Sequence, residues 1–382
     1  MPKVLRITTV PISLKVLLQG QFRFMQQNGW EVLTVSAEGT EVQEIKEKEA
    51  VKHISIPLTR QISPLTDLVA LWKLIRIINT FKPDIVHSHT PKAGLIGMLA
   101  AWLCRVPNRL HTVAGLPLME YSGLKRLLLN SAEKLTYRFA TKVYPNSFQL
   151  FEFIKNNLYQ NSQKFRVIGK GSSNGIDIEY FTPNKYIEDK ANDIRFSFNI
   201  PPNAFVFLFI GRLVKDKGII ELVQAFDEVI KANDAYLLLV GLFESDLDPL
   251  PQDILDKITN HPKIKLSGFQ KDVRPFLMAS NAFVFPSYRE GFPNVVLQAA
   301  CMEVPVIATN INGCNEIIEH ERSGLLVKPK DSKELKVAML RMIQNEVDRE
   351  CFRTAAATYV RMNFSRTHFW TLLLAEYKSL VK

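Results

Sequence analysis

The sequence predicts two doubly wound α/β domains, each built on a parallel β-sheet. Short apolar runs, typical of buried parallel strands, alternate with amphipathic helical segments through both halves of the chain. The 382 residues are enough for about two domains with complete cores. A polar stretch with Gly and Pro at residues 174–203 separates the two alternating halves, so the domain boundary is expected there.

The first half contains the strand candidates that would form the first sheet. Helical periodicity fills several intervals between them, as at residues 65–81 and 94–103. Strands joined by crossover helices pair in parallel. The candidates are residues 4–10, 31–36, 53–56, 84–87, 109–113, 142–145 and 165–168.

The second half repeats this order. Its strand candidates are residues 205–210, 236–240, 264–266, 282–285, 304–308 and 324–327, and its helices are residues 218–232, 272–279, 294–302 and 333–345. We therefore expect an N-terminal Rossmann-like domain at residues 1–185 and a C-terminal one at residues 186–362. Residues 363–382 form a further helix with apolar residues at helical spacing. The pattern leaves open whether this helix joins the second core or packs back across the hinge.

Composition excludes several classes of protein. A hydrophobic content of 47% and a charged content of 23% indicate a globular chain. No apolar run approaches the roughly 20 residues of a membrane span, and the N-terminus resembles a first strand, not a signal peptide. The four cysteines are too scattered for a zinc or disulfide framework, so a reducing, cytoplasmic setting is expected. They are Cys104, Cys301, Cys314 and Cys351.

The net charge of +10 is unevenly placed. Residues 1–190 hold 25 Lys and Arg against 15 Asp and Glu, whereas residues 191–382 hold 23 of each. This surplus suggests an anionic partner such as a phosphorylated lipid, a membrane surface or nucleic acid, and a generally basic surface is the alternative. Residues 121–142 are basic and amphipathic, which suits either an anionic membrane face or an ordinary core-packed helix. No nucleic-acid-binding module is evident, which argues against nucleic acid.

The most informative segment is Pro286-Ser-Tyr-Arg-Glu-Gly-Phe-Pro-Asn294, which continues into a helix. A helix N-terminus presents unpaired amide groups and a positive dipole end, which suit a phosphate. The carboxylate of Glu290, just before the turn, can hold neutral hydroxyls. A phosphate next to hydroxyls is what a nucleotide sugar offers.

Two further strand ends supply complementary groups. In residues 210–218, Gly211 allows close approach to the backbone, while Arg212 and Lys217 can bind phosphate; a solvated basic loop is the alternative. In residues 265–270, Phe269 and the neighbouring backbone could bind the face and edge of a nucleobase, although a core Phe in an ordinary turn is the simpler interpretation. A Gly-containing turn at residues 312–318 follows a further strand, and its Glu316 could instead cap a helix.

These motifs together resemble the group 1 (family four) retaining glycosyltransferases, most closely those that extend sugars on undecaprenyl diphosphate. The resemblance is strongest over residues 205–330 and looser at Pro83-Asp-Ile-Val-His-Ser-His-Thr-Pro-Lys-Ala-Gly94. It implies the GT-B fold: two Rossmann-like domains facing across a cleft, the donor in the second and the acceptor in the first. The motifs are Gly211-Arg212 with Lys217, Ser267-Gly268-Phe269, the segment from Pro286 to Asn294, Pro305-Val-Ile-Ala-Thr309, and Gly313 with Glu316 and Gly324.

The resemblance implies roles for named residues. Catalysis is expected from Glu290, Arg212 and Lys217, with His111 as a further candidate. Lys15, His89, Thr90 and Lys92 are candidates for binding the acceptor. No metal or other cofactor is expected, and a UDP-sugar is the co-substrate. The donor is expected to contact Gly211, Arg212, Lys217, Ser267, Phe269, Glu290, Gly291, Phe292, Pro293, Asn294, Val295 and Gln298.

Two positions depart from the family pattern. Gln298 stands where relatives carry a second glutamate, and its amide can still bond ribose hydroxyls. Ala114 stands where many relatives carry a histidine, which is why the nearby His111 is considered. His87 and His89 fall on one face of a strand and could ligate a metal, but polar residues lining a cleft are the simpler interpretation.

The predicted activity is transfer of a hexose or N-acetylhexosamine from a UDP-sugar to a saccharide acceptor, lipid-linked, in surface polysaccharide or glycan biosynthesis. The resemblance implies retention through a front-face displacement, with the leaving diphosphate helping to take the acceptor proton. We expect a cytoplasmic protein, peripheral on the inner face of the membrane. The alternatives are a nucleotide-sugar epimerase or phosphorylase of the same fold, an inactive nucleotide-sugar-binding relative, and a basic nucleic-acid-binding protein.

Overall fold

The computed structural model describes residues 1–61, 63–116, 123–160, 162–244 and 248–381. The chain divides into two compact units. The first comprises Met1–Gly175 and Arg366–Lys382, and the second comprises Ile176–Ser365. The same kind of six-stranded sheet forms the centre of each unit.

The first sheet has the strand order β3-β2-β1-β4-β5-β6, and all of its pairs are parallel. The order reverses between β1 and β4. A reversal of this kind is where the strands' carboxyl ends open a crevice for ligands in doubly wound folds. The strands are β1 (Lys3–Ile7), β2 (Glu31–Ser36), β3 (Lys52–Ser55), β4 (Ile85–His89), β5 (Asn108–Val113) and β6 (Lys142–Pro145).

Helices cover both faces of the first sheet, and each face has its own apolar core. The helices are α1 (Pro11–Leu17), α2 (Gln21–Gln27), α3 (Glu41–Glu49), α4 (Pro64–Phe81), α5 (Pro91–Leu103), α6 (Gly123–Phe139), α7 (Phe148–Asn157) and, at the end of the chain, α16 (Arg366–Leu380). One core joins α1, α2, α3 and α16 to the sheet, through residues such as Phe22 and Tyr377. The other joins α4, α5, α6 and α7, through residues such as Leu74 and Tyr137.

The second sheet has the order β12-β11-β10-β7-β8-β9 and is also parallel throughout. Its strands are β7 (Phe205–Ile210), β8 (Ala235–Val240), β9 (Ile264–Gly268), β10 (Ala282–Phe285), β11 (Val306–Thr309) and β12 (Leu325–Val327). Its helices are α8 (Lys185–Ser197), α9 (Ile219–Val229), α10 (Gln252–Asn260), α11 (Arg274–Met278), α12 (Asn294–Cys301), α13 (Cys314–Ile317), α14 (Ser332–Gln344) and α15 (Glu346–Asn363). Strands β7 and β10 are entirely apolar because helices cover both of their faces.

The prediction of two doubly wound parallel sheets is confirmed. Some local expectations were wrong. Residues 165–168 form no strand, and only an isolated bridge from Phe165 to Val143 remains. The polar stretch after residue 183 is helix α8, which begins where the Asn184 side chain accepts a hydrogen bond from the Ile187 amide. The polar residues on the exposed face of α8 resemble those of a linker. The helix signal in this stretch is the capping residue Asn184, followed at helical spacing by Ile187 and Ala191.

The terminal helix α16 belongs to the first unit. Phe369, Leu373 and Tyr377 are buried there against the face that holds Phe22 and Trp30. The side chain of Glu376 is anchored as well, because Oε1 accepts from Tyr144 Oη at 3.0 Å. The last residues of the chain thus complete the core begun by its first residues.

Candidate active site

Three adjacent strands of the second unit end in glycine at the same edge of the sheet. Gly211 follows β7, Gly241 follows β8, and Gly268 closes β9. The Gly241 amide donates to the Gly268 carbonyl at 2.9 Å, and the Gly211 amide donates to the Val240 carbonyl at 2.9 Å. A methyl group on Gly241 would lie 1.8 Å from the carbonyl oxygen of Gly211. A side chain is thus excluded at position 241, where the backbones of two strand ends pack directly against each other.

The loops after β7 and β10 are joined by an ion pair. Lys217 Nζ lies 2.6 Å from Glu290 Oε1, and both side chains are largely buried. Ser287 Oγ donates to the same oxygen at 3.0 Å. Both contacts use Oε1, so Oε2 is the oxygen that can accept from a further hydroxyl. The ammonium has three donors, of which the Glu290 contact uses one.

The backbone of these two loops is in direct contact. Gly218 has a φ of +70°, and a methyl group there would lie 2.1 Å from the Pro286 carbonyl oxygen. The Tyr288 amide donates to the Asp216 carbonyl at 2.8 Å. The separation of Lys217 from Glu290 is therefore fixed by main-chain contacts as well as by charge.

Arg212 lies on the same loop as Lys217. Its Nη1 donates to Glu244 Oε2 at 2.7 Å, and its Nη2 lies 3.8 Å from Asp216 Oδ2. Partial burial opposes its charge, but the hydrogen bond that Arg212 donates to Glu244 and the nearby carboxylates outweigh this and raise the pKa of Arg212 above its usual value. Arg212 is therefore a permanent cation next to the Lys217–Glu290 pair.

The turn before α12 is held by the segment after β11. Asn312 Nδ2 donates to the carbonyls of Glu290 and Gly291, each at 2.9 Å. Gly313 packs so closely that a methyl group would lie 2.8 Å from the Gly291 oxygen. These contacts fix the turn from Glu290 to Pro293. The first-turn amides of α12 follow it, and such amides have no partner within their own helix.

Phe269, the residue predicted to contact the nucleobase, is exposed. The Phe269 side chain is 68% exposed at the end of β9, which contradicts a core Phe at this position. Ser267 precedes Gly268 on the same strand, and Ser267 Oγ donates to the Gly268 carbonyl at 3.3 Å. Gln298 lies half-buried on α12, one turn beyond Asn294. The structure thus brings the predicted donor residues to one edge of the second sheet.

The first unit contains a buried polar network around Arg6. Arg6 Nη2 contacts Gln21 Oε1 at 2.5 Å and His89 Nε2 at 2.9 Å, and Arg6 Nη1 donates to Tyr377 Oη at 3.1 Å. Tyr377 Oη also lies 2.5 Å from His87 Nδ1. Burial, together with the Arg6 charge, lowers the pKa of His87 and of His89 well below the usual range. Both imidazoles are neutral at pH 7.

His87 and His89 lie on one strand face, as their spacing predicts, with ring centroids 4.4 Å apart. Both ring nitrogens of His87 and Nε2 of His89 contact polar side chains of this network. Among the described residues, no group of three or more His, Cys, Asp or Glu side chains is placed to hold a metal ion.

Two acceptor candidates begin α5 at the carboxyl edge of the first sheet. Thr90 has a φ of +71°, and its Oγ1 lies 2.8 Å from Thr9 Oγ1. Lys92 Nζ contacts Asp67 Oδ1 at 2.7 Å and lies 3.3 Å from Thr59 Oγ1. The start of α5 is therefore tied to the start of α4.

The acceptor candidate Lys15 and the catalytic candidate His111 lie elsewhere in the first unit. Lys15 lies on α1, where its Nζ pairs with Glu44 Oε2 at 2.5 Å. His111 is buried in the middle of β5, with Nδ1 2.9 Å from Ser88 Oγ and with its ring against Gly94. Burial lowers the pKa of His111 to about 4. This position indicates a packing role, and a catalytic contact of His111 stays a prediction.

Comparison with known proteins identifies the family. Residues 204–345 match the family described as Glycosyl transferases group 1, and residues 17–168 match the Glycosyl transferase 4-like domain. The chain is 34% identical over 382 residues to the capsular polysaccharide biosynthesis glycosyltransferase CapM of Staphylococcus aureus, covering 100% of this chain and 98% of that protein. The chain belongs to the group 1 glycosyltransferases.

Other relatives of this glycosyltransferase act on lipid-linked sugars by name. An Escherichia coli UDP-Gal:α-D-GlcNAc-diphosphoundecaprenol α-1,3-galactosyltransferase is 30% identical over 307 residues, with 78% of this chain and 76% of that protein covered. An N,N′-diacetylbacillosaminyl-diphospho-undecaprenol α-1,3-N-acetylgalactosaminyltransferase of Campylobacter jejuni is 27% identical over 291 residues, with 75% and 74% covered.

Solved structures confirm the GT-B fold of this glycosyltransferase. A glycosyltransferase from Rickettsia africae superposes with a TM-score of 0.79 at 22% identity, covering 100% of this chain and 99% of that one. HepE of Anabaena, solved in complex with UDP, superposes with a TM-score of 0.81 at 20% identity, covering 99% and 100%.

Sequence reasoning missed several residues that shape the sites of this glycosyltransferase. Gly241 could have been found, because it follows an apolar strand as Gly211 does. Asn312 was noted only as part of a turn. Arg6 and Tyr377 gave no local signal, since a charged residue within β1 and an aromatic residue near the chain end meet only in the folded unit.

Proposed function

We propose that this glycosyltransferase moves a hexose or N-acetylhexosamine from a UDP-sugar to a saccharide carried on a polyprenyl diphosphate. The proposal includes retention at the anomeric carbon and independence of metal ions and other cofactors. The observation that carries it is the contact of Lys217 with Glu290 next to Arg212. Cations suited to a diphosphate thereby lie next to a carboxylate suited to sugar hydroxyls.

The choice of substrates is supported by the relatives. Two of them carry names that specify acceptors linked to undecaprenyl diphosphate, and their donors supply galactose and N-acetylgalactosamine. The S. aureus relative, matched over nearly its whole length, is named for capsular polysaccharide biosynthesis. We therefore assign the product to surface polysaccharide or lipid-linked glycan.

The proposed step is a displacement on one face of the sugar. The bond from the anomeric carbon to the UDP oxygen breaks, and the acceptor oxygen bonds to that carbon from the same side. The acceptor proton passes to the departing diphosphate. Arg212, Lys217 and the first-turn amides of α12 stabilise the charge that grows on this diphosphate. Because these groups are cations and oriented dipoles, they can offset that charge without a metal.

We propose roles for the remaining donor residues, and their positions support these roles. Glu290 Oε2 accepts from sugar hydroxyls, the exposed ring of Phe269 stacks on the uracil, and Gln298 bonds the ribose. Gly211 lets the diphosphate approach the backbone. In the first unit, Thr90 and Lys92 bind the acceptor at the carboxyl edge of the sheet. We place the protein at the cytoplasmic face of the membrane, where a lipid-linked acceptor would be met.

The test measures UDP release by the purified full-length chain. A panel of UDP-sugars is supplied with and without short-chain polyprenyl-diphosphate sugars as acceptors, and EDTA is added in a parallel series. We expect release only with an acceptor, unaffected by EDTA and reduced at least about 100-fold in Glu290→Ala. The anomeric proton coupling of the product, read by NMR, reports retention.

The same measurement separates the alternatives. Conversion of the UDP-sugar to its epimer without UDP release would indicate an epimerase. Donor binding without turnover on any acceptor would indicate an inactive sugar-nucleotide-binding relative. Acceptor-dependent release that EDTA abolishes would overturn the metal-independent mechanism alone.

A further inference from the structure

We propose that the N-terminal halves of α4 and α6 form the surface by which the first unit rests on an anionic lipid bilayer. This inference rests on the proposed function, because the bilayer would hold the acceptor. It specifies which part of the unit meets the lipid. Two rows of exposed apolar side chains carry the inference.

The first row runs along α4. Its members are spaced as one face of a helix, and Leu65 is 83% exposed. The opposite face of α4 is buried through Ala70, Leu74 and Ile78. The helix therefore has one apolar face for the core and a second apolar row that remains exposed among the described residues. The row consists of Leu65, Leu68, Val69 and Trp72.

The second row runs along the start of α6. It consists of Leu124, Leu127 and Leu128, which are also spaced as one helix face, and Leu124 is 85% exposed. Glu133 and Tyr137 lie on the buried side of the same helix. Helix α5 lies between the two, since it contacts both α4 and α6. The two rows therefore belong to one helical layer.

Both rows lie toward the carboxyl edge of the first sheet. Helix α4 ends just before β4, and α6 ends just before β6, so each helix begins at the opposite, carboxyl edge. The contact of Lys92 with Asp67 ties the start of α5 to the start of α4. The α4 row thus lies next to Thr90 and Lys92, the proposed acceptor residues.

The charge of the exposed side chains on α4 and α6 indicates what binds this surface. Among the described side chains of α4 and α6, those that are charged and exposed are all basic: Lys73, Arg76, Arg126, Lys134 and Arg138. Asp67 is paired with Lys92, and Glu133 is buried. Lys73, Arg76 and Arg126 lie next to the two apolar rows, and such a combination of apolar and basic side chains matches an anionic bilayer surface. Two copies of this face would repel each other through the same residues.

The proposed binding to the bilayer is peripheral. Within the described ranges, no helix has the length and apolar character needed to cross a bilayer. Insertion of the two rows at the level of the headgroups leaves the chain outside the hydrocarbon core. It holds the carboxyl edge of the sheet at the height where a diphosphate head emerges from the lipid.

The experiment measures co-sedimentation of the full-length chain with vesicles. Mixed phosphatidylcholine–phosphatidylglycerol vesicles are compared with pure phosphatidylcholine. The test variant is Leu65→Glu with Leu124→Glu. The control is Phe196→Glu with Val347→Glu, which adds the same charge at similarly exposed apolar positions of the second unit. We expect binding to the anionic vesicles, at least a tenfold loss in the test variant, and no loss in the control.

A second readout uses Trp72 and the basic residues Arg76 and Arg126. Brominated lipid should quench tryptophan fluorescence of the wild type, and Trp72→Phe should remove most of that quenching. Arg76→Gln with Arg126→Gln should reduce binding to anionic vesicles by roughly tenfold. Equal losses in the test and control variants would overturn the inference. So would a change from dimer to monomer in the test variant with vesicle binding intact, which would indicate an interface between copies.

The outcomes separate this inference from the proposed function. UDP release is measured on a short-chain acceptor that needs no vesicle. If the wild type releases UDP but does not bind vesicles, the proposed docking surface is wrong and the proposed transferase activity still stands. A test variant that keeps this release and loses vesicle binding supports both.

Discussion

Lys217 Nζ and Glu290 Oε1 lie 2.6 Å apart, and this contact joins the loop after β7 to the loop after β10. In the proposed function, the pair sets a positive group for the diphosphate beside a carboxylate for the sugar. Because both side chains are largely buried, removal of either leaves the other charge poorly compensated. The same ion pair therefore holds the two loops together and supplies the two charged groups that the proposed reaction uses.

The first prediction concerns this lysine. Lys217→Ala should lower kcat/KM for UDP release by about 100-fold or more, because a cation facing the leaving diphosphate is lost. Lys257→Ala is the matched control, since Lys257 forms an ion pair with Asp227 elsewhere in the second unit. Near-normal kcat/KM in Lys217→Ala would exclude this residue from the phosphate site.

The second prediction concerns the exposed ring of Phe269. Phe269→Ala should weaken UDP binding by about 5- to 100-fold, because base–aromatic stacking contributes about 1–3 kcal/mol. Stability should not change, since the ring is 68% exposed. Isothermal titration with UDP checks the affinity, with Phe196→Ala, at another exposed phenylalanine of the second unit, as the control. Unchanged affinity would show that the base is bound elsewhere.

The sequence predicted the architecture because apolar strands and amphipathic helices carry their periodicity locally. It missed α8, whose exposed face resembled a linker, and it assigned a strand to residues 165–168, where only a bridge from Phe165 forms. The strand-end positions of the candidate donor residues were also predictable. A glycine, a cation or a carboxylate after an apolar run signals a turn at the carboxyl edge.

Contacts between distant segments were not predictable. The network of Arg6 with Tyr377 joins residues 371 positions apart, and neither position shows its partner in the sequence. The same holds for His111, which looked like a candidate for catalysis and is packed against Gly94. Burial on the inner face of a sheet depends on which helix covers the strand, and periodicity does not specify this.

The third prediction compares two glycines that have nearly the same positive φ. Gly218 has a φ of +70° and Gly268 a φ of +69°, but a methyl group on Gly268 meets nothing within 4 Å. Gly268→Ala should cost about 1–2 kcal/mol of unfolding free energy through its φ alone. Gly218→Ala should cost about 1–3 kcal/mol more, because its methyl group would collide with the Pro286 carbonyl. Urea unfolding followed by circular dichroism compares them, and equal losses would contradict the close contact of the two loops.

The fourth prediction concerns Gln298, which stands where relatives of the family carry a second glutamate. Gln298→Ala should raise KM for the UDP-sugar by about 3- to 10-fold with little change in kcat, because one or two neutral hydrogen bonds to ribose are lost. Gln298→Glu should retain activity, because a carboxylate also accepts from ribose hydroxyls. Initial-rate kinetics at saturating acceptor separate KM from kcat. A loss confined to kcat would place Gln298 in the chemical step instead.

The last prediction follows from the buried imidazole of His111. Its folded-state pKa of about 4 lies below the usual 6.5. Between these values the unfolded chain binds a proton that the folded chain does not, so stability falls as pH drops from about 6.5 towards 4. Substitution by His111→Gln should remove this dependence and reduce the loss between pH 7 and pH 5 by about 2 kcal/mol.

Tryptophan fluorescence can follow this loss in one unit alone. All four tryptophans, Trp30, Trp72, Trp102 and Trp370, belong to the first unit, as His111 does. Burial raises the pKa of Glu133 to about 7, which has the opposite effect on stability, but this effect is common to both proteins and cancels in their difference. His320→Gln, in the second unit, serves as the control. If wild type and His111→Gln lose equal stability on acidification, His111 is accessible to protons in the folded unit, and a catalytic contact would regain support.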